Sequence, residues 1–182
     1  MTFHPRLGCS SISFRHLPLS GALETMAGLG FAEMDLGALP GVCDHVPFHL
    51  DDKAVAAVGR EVSGSGLAVR SINGDIGDLN RPLDVQARAG RARHLEMLLS
   101  LAVRTGARAL VLPCGALSHE PLSSLERDLD LVAAELAAAA DAAAAAGVEL
   151  WTESLHFFRL CWNLDRARQL TARLEGTEVG VV

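Results

Sequence analysis

Residues 144–154, AAAGVELWTES, hold the key to the architecture. An alanine run stops at Gly147, an apolar stretch follows from Val148 to Trp151, and that stretch closes on a carboxylate at Glu153. A glycine in this position can take the left-handed conformation that ends a helix, after which β-branched and aromatic residues favour an extended strand. The same junction recurs as AGLGFAEMDLG at 27–37, SGSGLAVRSING at 63–74 and RTGARALVLPCG at 104–115. Gly30, Gly66, Gly106 and Gly147 are thus read as four helix-closing residues, each followed by a strand.

Between the junctions lie segments with helical character: Leu19 to Leu29, Asp51 to Val62, Asp84 to Arg104, Leu122 to Ala146 and Leu164 to Leu174. In the third, Leu95, Leu98, Leu99 and Ala102 recur at three- and four-residue spacing, while Arg88, Arg91 and Arg93 are assigned to the wetted side. The alanine-rich fourth segment reads as a closely packed helix, because alanine has the highest helix propensity and lets backbones approach. Asp51 and Asp84 stand where N-caps or first-turn acids belong.

Strands are expected at 7–13, 31–36, 67–73, 107–113 and 148–153, with a last one beginning near Glu178. Alternation of apolar strands with helices implies a parallel sheet covered by helices. A doubly wound nucleotide-binding sheet should carry a glycine-rich turn after its first strand, but CSSISFRHLPLSG at 9–21 has no G-x-G-x-x-G. The expected fold is therefore α/β, a (β/α) TIM-barrel type of parallel sheet. Eight such units take about 250 residues. The sequence carries five units and the opening strand of a sixth, one partial barrel domain over 1–182. An apolar strand at the terminus, EVGVV, suggests a truncated or partial chain, with a short open sheet or a homo-oligomer that covers the sheet edges as the alternative.

The composition narrows the function classes. The sequence is 49% apolar and 21% charged, as for a folded globular protein, and its formal charge of −6 comes without any basic block. Phosphate-held nucleic acid is thereby disfavoured as a partner. No stretch approaches the roughly 20 uninterrupted apolar residues of a membrane span, and MTFHPRLG at 1–8 leads into no apolar signal segment. Cys9, Cys43, Cys114 and Cys161 are far apart with no C-x-x-C pair, which reads as reduced thiols in a cytoplasm.

In a barrel of this type the chemistry sits at the C-terminal ends of the strands. The polar residues expected there are Ser13 and His16, Asp35 and His45, Asn73 and Asp75, Cys114 and His119, and Glu153 and His156. Glu153 stands apart. Strand alternation puts Glu149, Trp151 and Glu153 on one face and Val148, Leu150 and Thr152 on the other. An ionised carboxylate beside apolar packing is costly without a cation or several donors. It could bind a divalent cation and carry protons, or it could form a salt bridge, for example to Arg70. His45 in CDHVPFH, Asn73 and His156 are the candidate substrate contacts, His45 and His156 against the alternative of loop histidines that are solvated or packed beside Phe157 and Phe158. Trp151 and Trp162 read as packing residues.

The segments LGCSSISF, GFAEMDLG, GLAVRSING, GARALVLPCG and GVELWTESLHFF, followed by EVGVV, resemble the sugar phosphate isomerase/epimerase group, the xylose isomerase-like TIM barrels, over essentially the whole chain. The resemblance implies that Glu153 is a metal ligand and one of a pair of acid/base groups. It also implies an aspartate ligand at the end of the strand that begins at Glu178, then a histidine and a second glutamate on strands seven and eight. Those three are not in the sequence. The related endonuclease IV type carries zinc-binding histidines where this sequence has Asn73 and Cys114, which weakens a nuclease reading. The implied activity, if the complete barrel is present, is that of an isomerase: divalent-metal-assisted proton transfer on a carbohydrate or polyol through an enediolate, with Mn, Mg, Co or Zn as the metal. A metal-dependent dehydratase or lyase of the same barrel family, and a non-catalytic fragment, are the rivals.

Overall fold

The computed structural model describes residues 3–4 and 7–182. Six strands alternate with helices: β1 Cys9–Ser10, α1 Leu19–Leu29, β2 Glu33–Ala38, α2 Asp52–Ser65, β3 Ala68–Gly74, α3 Val85–Thr105, β4 Ala109–Pro113, α4 Leu125–Ala145, β5 Glu149–Glu153, α5 Leu164–Arg173 and β6 Val179–Val181. They form one sheet in the order β1-β2-β3-β4-β5-β6. A doubly wound sheet would reverse its order at a switch point, whereas a (β/α) barrel adds each strand beside the last. The sequential order is that of a barrel, here as a partial one.

The local rules behind these elements are visible. Gly30, Gly66, Gly106 and Gly147 all have positive φ, at 91, 74, 68 and 72°. Asp51 accepts the N–H of Ala54 at 2.8 Å and Asp84 that of Ala87 at 2.8 Å, so both act as caps. One expectation is corrected: the first strand ends at Ser10 rather than reaching 13, and Ser11–Phe14 turns into a short 3-10 helix. The cause is hydroxyl chemistry. The Ser10 side chain accepts the N–H of Ile12, and the Ser11 hydroxyl accepts the N–H of Gly37 at 2.8 Å, which offers the chain a turn in place of a ladder.

The chain divides into two compact units, Met1–Asp75 with Met97–Leu110, and Ile76–Glu96 with Val111–Val182. In the first, β1, β2 and β3 pair in parallel, and Met26, Met34, Leu36, Ile72, Leu98, Leu101 and Leu110 are fully buried. In the second, β5 and β6 pair in parallel, and Leu112, Leu129, Leu136 and Leu150 are the largest core side chains besides Leu79. Ala139, Ala140 and Ala143 of α4 are buried, as expected of a closely packed alanine helix. Arg91 departs from the wetted position expected of it. Its side chain is 8% exposed, pairs with Glu135 of α4 at 2.9 Å and donates to the carbonyl of Asp78 at 2.7 Å. Among the described residues no helix is long and apolar enough to cross a membrane.

Candidate active site

In the second unit the alternation of β5 is as the sequence suggests: Leu150 and Thr152 are buried, and Trp151 and Glu153 are half-buried on the other face. Thr152 donates its hydroxyl to the carbonyl of Leu112 at 3.0 Å, which anchors the buried face. On the opposite face Trp151 Nε1 donates to Glu149 Oε2 at 2.9 Å. Beside it, β6 supplies Gly180 in register with Trp151. The Glu153 carboxylate at the strand end makes no hydrogen bond or ion pair among the described residues. Arg70, a candidate partner, lies 3.7 Å from Glu33.

Beyond Glu153 the chain forms a loop laid along the loop that follows β4. Leu160 N–H donates to the carbonyl of Ala116 at 3.0 Å and Arg159 Nη1 to that of Gly115 at 3.0 Å. Arg166 Nη1 donates to the carbonyls of Leu160 and His119, and His119 Nε2 to that of Phe157. Gly115 makes the close approach possible: its φ is +115°, and a Cβ there would stand 2.9 Å from Leu160 Cβ. His156 is half-buried in this loop, its Nδ1 accepting the N–H of Phe158 at 3.2 Å. Its Nε2 has no hydrogen bond among the described residues and is left with the ring proton. The second unit thus holds Glu153 and His156 on one strand end. Phe157 and Phe158, 64% and 63% exposed, flank them, and the imidazole of His119 stacks on Trp162 with ring centroids 4.7 Å apart.

In the first unit Asn73 is half-buried near the end of β3, paired with Gly37 of β2, and its amide has no hydrogen bond among the described residues. His45 is different. It is 5% exposed, with Nε2 donating to the carbonyl of Leu17 at 3.1 Å and Nδ1 3.2 Å from Cys43 Sγ. A carbonyl can only accept, so the proton sits on Nε2 and the Cys43 thiol donates to Nδ1. Burial pushes that thiol up from the usual cysteine value, which keeps it a donor. Both ring nitrogens of His45 are engaged within its own unit. Cys43 itself packs over Gly37, where a Cβ would stand 2.8 Å from both Cys43 Sγ and Ile12 Cγ1.

One polar group in the first unit has a place the sequence reading missed. Asp35 lies in mid-strand rather than after β2, in register with Ser10 on one side and Ser71 on the other. Both hydroxyls donate to its carboxylate, Ser71 to Oδ1 at 2.7 Å and Ser10 to Oδ2 at 3.1 Å. Only the pairing of three strands assembles this row, and no spacing along the chain announces it.

The residues described here do not by themselves fit a divalent ion. Glu153 is a single carboxylate, and among the described residues no group of three His, Cys, Asp or Glu side chains could hold a metal. Such ions take roughly four to six ligands.

The xylose isomerase-like TIM barrel family matches residues 23–182 of the sequence. No curated protein matches it. Among solved structures, protein SMc04130 from Sinorhizobium meliloti 1021 is 21% identical at a TM-score of 0.71, over 98% of this chain and 63% of that one. A D-psicose 3-epimerase from Clostridium cellulolyticum H10, solved with D-tagatose, is 16% identical at a TM-score of 0.71, over 96% and 61%. A xylose isomerase-like TIM barrel protein from Mycobacterium smegmatis in complex with magnesium is 16% identical at a TM-score of 0.67, over 96% and 63%. The chain spans less than two thirds of the length of each. With its family match over 23–182 and its six strands in sequential order, the chain belongs to the xylose isomerase-like TIM barrel family.

Proposed function

We propose that the chain is the Glu153-bearing portion of a sugar isomerase or epimerase, acting on a carbohydrate or polyol by proton transfer next to a carbonyl. Family membership supports the reaction class, and one relative of the same fold is an epimerase of a ketose. The observation that carries the reading is the state of Glu153. It is half-buried at the end of β5 and has no hydrogen-bond or ion-pair partner among the described residues. A carboxylate outside a salt bridge has its oxygens open to a substrate C–H. Glu153 takes the proton from the hydroxyl-bearing carbon beside the carbonyl, leaving an enediolate. Return of that proton to the former carbonyl carbon, with the hydroxyl proton passing to the former carbonyl oxygen, completes an isomerisation, whereas an epimerisation uses a second acid on the opposite face. His156 Nε2–H, in the same unit as Glu153, is assigned to a substrate hydroxyl.

The test is deuterium wash-in. A panel of neutral ketohexoses incubated with the protein in deuterium oxide, with and without added Mg²⁺ or Mn²⁺, should gain deuterium at the carbon next to the carbonyl. Glu153→Gln should abolish that gain while leaving the fold intact by circular dichroism. Wash-in that survives the substitution, or none from the wild-type protein under any of these conditions, overturns the assignment.

A further inference from the structure

The fold brings together two cysteines that are remote in sequence. Cys114 is the first residue after β4 and Cys161 lies in the loop between β5 and α5, and both are fully buried. The Cys114 thiol donates to the carbonyl oxygen of Cys161 at 3.9 Å, and the two side chains interact. The Cys161 side chain, helped by the backbone N–H groups of Cys161, Cys114 and His156, brings the Cys114 thiol below the usual cysteine value despite its burial. Cys161 is pushed up by the same interaction, while the charge of Arg166 acts against that shift. The fold thus holds two buried thiols side by side. Cys43 has another employment in the first unit, donating to His45.

We propose that Cys114 and Cys161 form a reversible disulfide that fastens the β5–α5 loop to the end of β4. The oxidant is a peroxide, small enough to enter a packed loop interface. The Cys114 sulfur, giving up its proton, attacks one oxygen of hydrogen peroxide. The O–O bond breaks, Cys114 becomes a sulfenic acid, and the hydroxide released takes up the proton that left Cys114. Cys161 sulfur then attacks the Cys114 sulfur, the S–O bond breaks, and water leaves with the Cys161 proton. Two thiols are oxidised, one peroxide is reduced and two waters form. The bond would fix the loop that begins at Glu153 and carries His156. In the reduced protein that loop is held by the Ala116–Leu160 and Gly115–Arg159 hydrogen bonds and its neighbours. The inference does not depend on the proposed isomerase activity.

Peroxide titration of the whole chain, followed by denaturation, thiol blocking with N-ethylmaleimide and peptide mass mapping, tests it. The expected product is a 114–161 cross-linked peptide two hydrogens lighter than the reduced pair, restored by dithiothreitol, with Cys9 and Cys43 still blockable. In Cys161→Ser the sulfenic acid should be trapped by dimedone on Cys114. Chymotrypsin cleavage after the exposed Phe157 and Phe158 should slow several-fold on oxidation. The proposal is overturned if Cys114 and Cys161 remain fully blockable at peroxide levels that oxidise Cys9, or if Cys114 pairs with a different cysteine. Both readouts use the wild-type protein, so they hold even where a serine variant does not fold.

Discussion

The indole of Trp151 occupies the space that a side chain at residue 180 would need: a methyl group on Gly180 would stand 2.6 Å from Cδ1 and 3.2 Å from Nε1. The two residues are cross-strand partners in register. Glycine here is a packing requirement, since Gly180 is not among the positive-φ residues. Gly180→Ala must displace the ring or spread β5 from β6, and overpacking of this kind costs about 1–3 kcal/mol. Urea unfolding should show that loss, and the tryptophan emission should shift, with Trp151→Phe distinguishing its signal from that of Trp162. An alanine variant as stable as the parent, with unchanged emission, would mean that the ring lies elsewhere.

What could be read along the chain was whatever depends on near neighbours. Gly30, Gly66, Gly106 and Gly147 close helices because a helix end is a local event, and Leu150 and Thr152 fall inside because alternation is fixed by the strand itself. Glu153 was legible for the same reason, as the last residue of an alternating run. Asp35 was misplaced because its partners lie 25 and 36 residues away and meet it only through strand pairing. Arg91 read as solvated because the helix pattern cannot show that Glu135 of α4 stands opposite it. His45 drew attention as a loop histidine, whereas folding turns both its nitrogens inward, to Leu17 and Cys43.

Asp128, a first-turn residue of α4 with no exposed surface, organises the second unit's loops. Its carboxylate accepts Asn80 Nδ2 at 2.7 Å, Leu122 N–H at 2.7 Å and Ser123 N–H at 3.2 Å, while Asn80 Oδ1 accepts Ala116 N–H at 2.8 Å. Asn80 is fully buried, so its Nδ2 cannot replace this acceptor from water, whereas Leu122 and Ser123 lie in exposed loop. Asp128→Ala leaves Asn80 Nδ2 buried and unsatisfied and takes the acceptor from two loop N–H groups, and should cost about 1–3 kcal/mol. Asp128→Asn should cost less, because one acceptor oxygen survives and the new NH₂ opposes the others. Chemical denaturation of both variants ranks them, and an alanine variant no less stable than the asparagine one would contradict the network.

Ser71 and Ser10 serve the same carboxylate unequally. Ser71→Ala removes a 2.7 Å hydrogen bond to Asp35 and should cost about 1.5–3 kcal/mol, the range for bonds to charged groups. Ser10→Ala removes a 3.1 Å bond together with the turn contact to Ile12. Because the two hydroxyls meet on one acceptor, the double variant should depart from the sum of the singles, and Asp35→Ala should erase most of that non-additivity. Additive losses in a denaturation cycle would show that the hydroxyls do not act through Asp35.

The Cys43 thiol should impose a pH dependence of defined sign. Burial, the largest cause, raises it above the usual cysteine value, so the folded protein binds that proton more tightly than the unfolded chain does. The stability it contributes is complete below the usual thiol pKa of about 8.5 and is lost as pH rises through the raised folded value. Unfolding free energy should therefore fall more steeply above that point in the wild-type protein than in Cys43→Ala, whose lower stability from the lost side chain should carry a flatter alkaline slope. Cys9, also raised by burial, contributes the same background to both proteins. Thiol blocking gives an independent reading, since Cys43 should react more slowly at pH 8 in the folded protein than in urea, beyond what shielding of Cys9 shows. Parallel alkaline slopes for the two proteins would place the thiol in water and undo the Cys43–His45 arrangement with it.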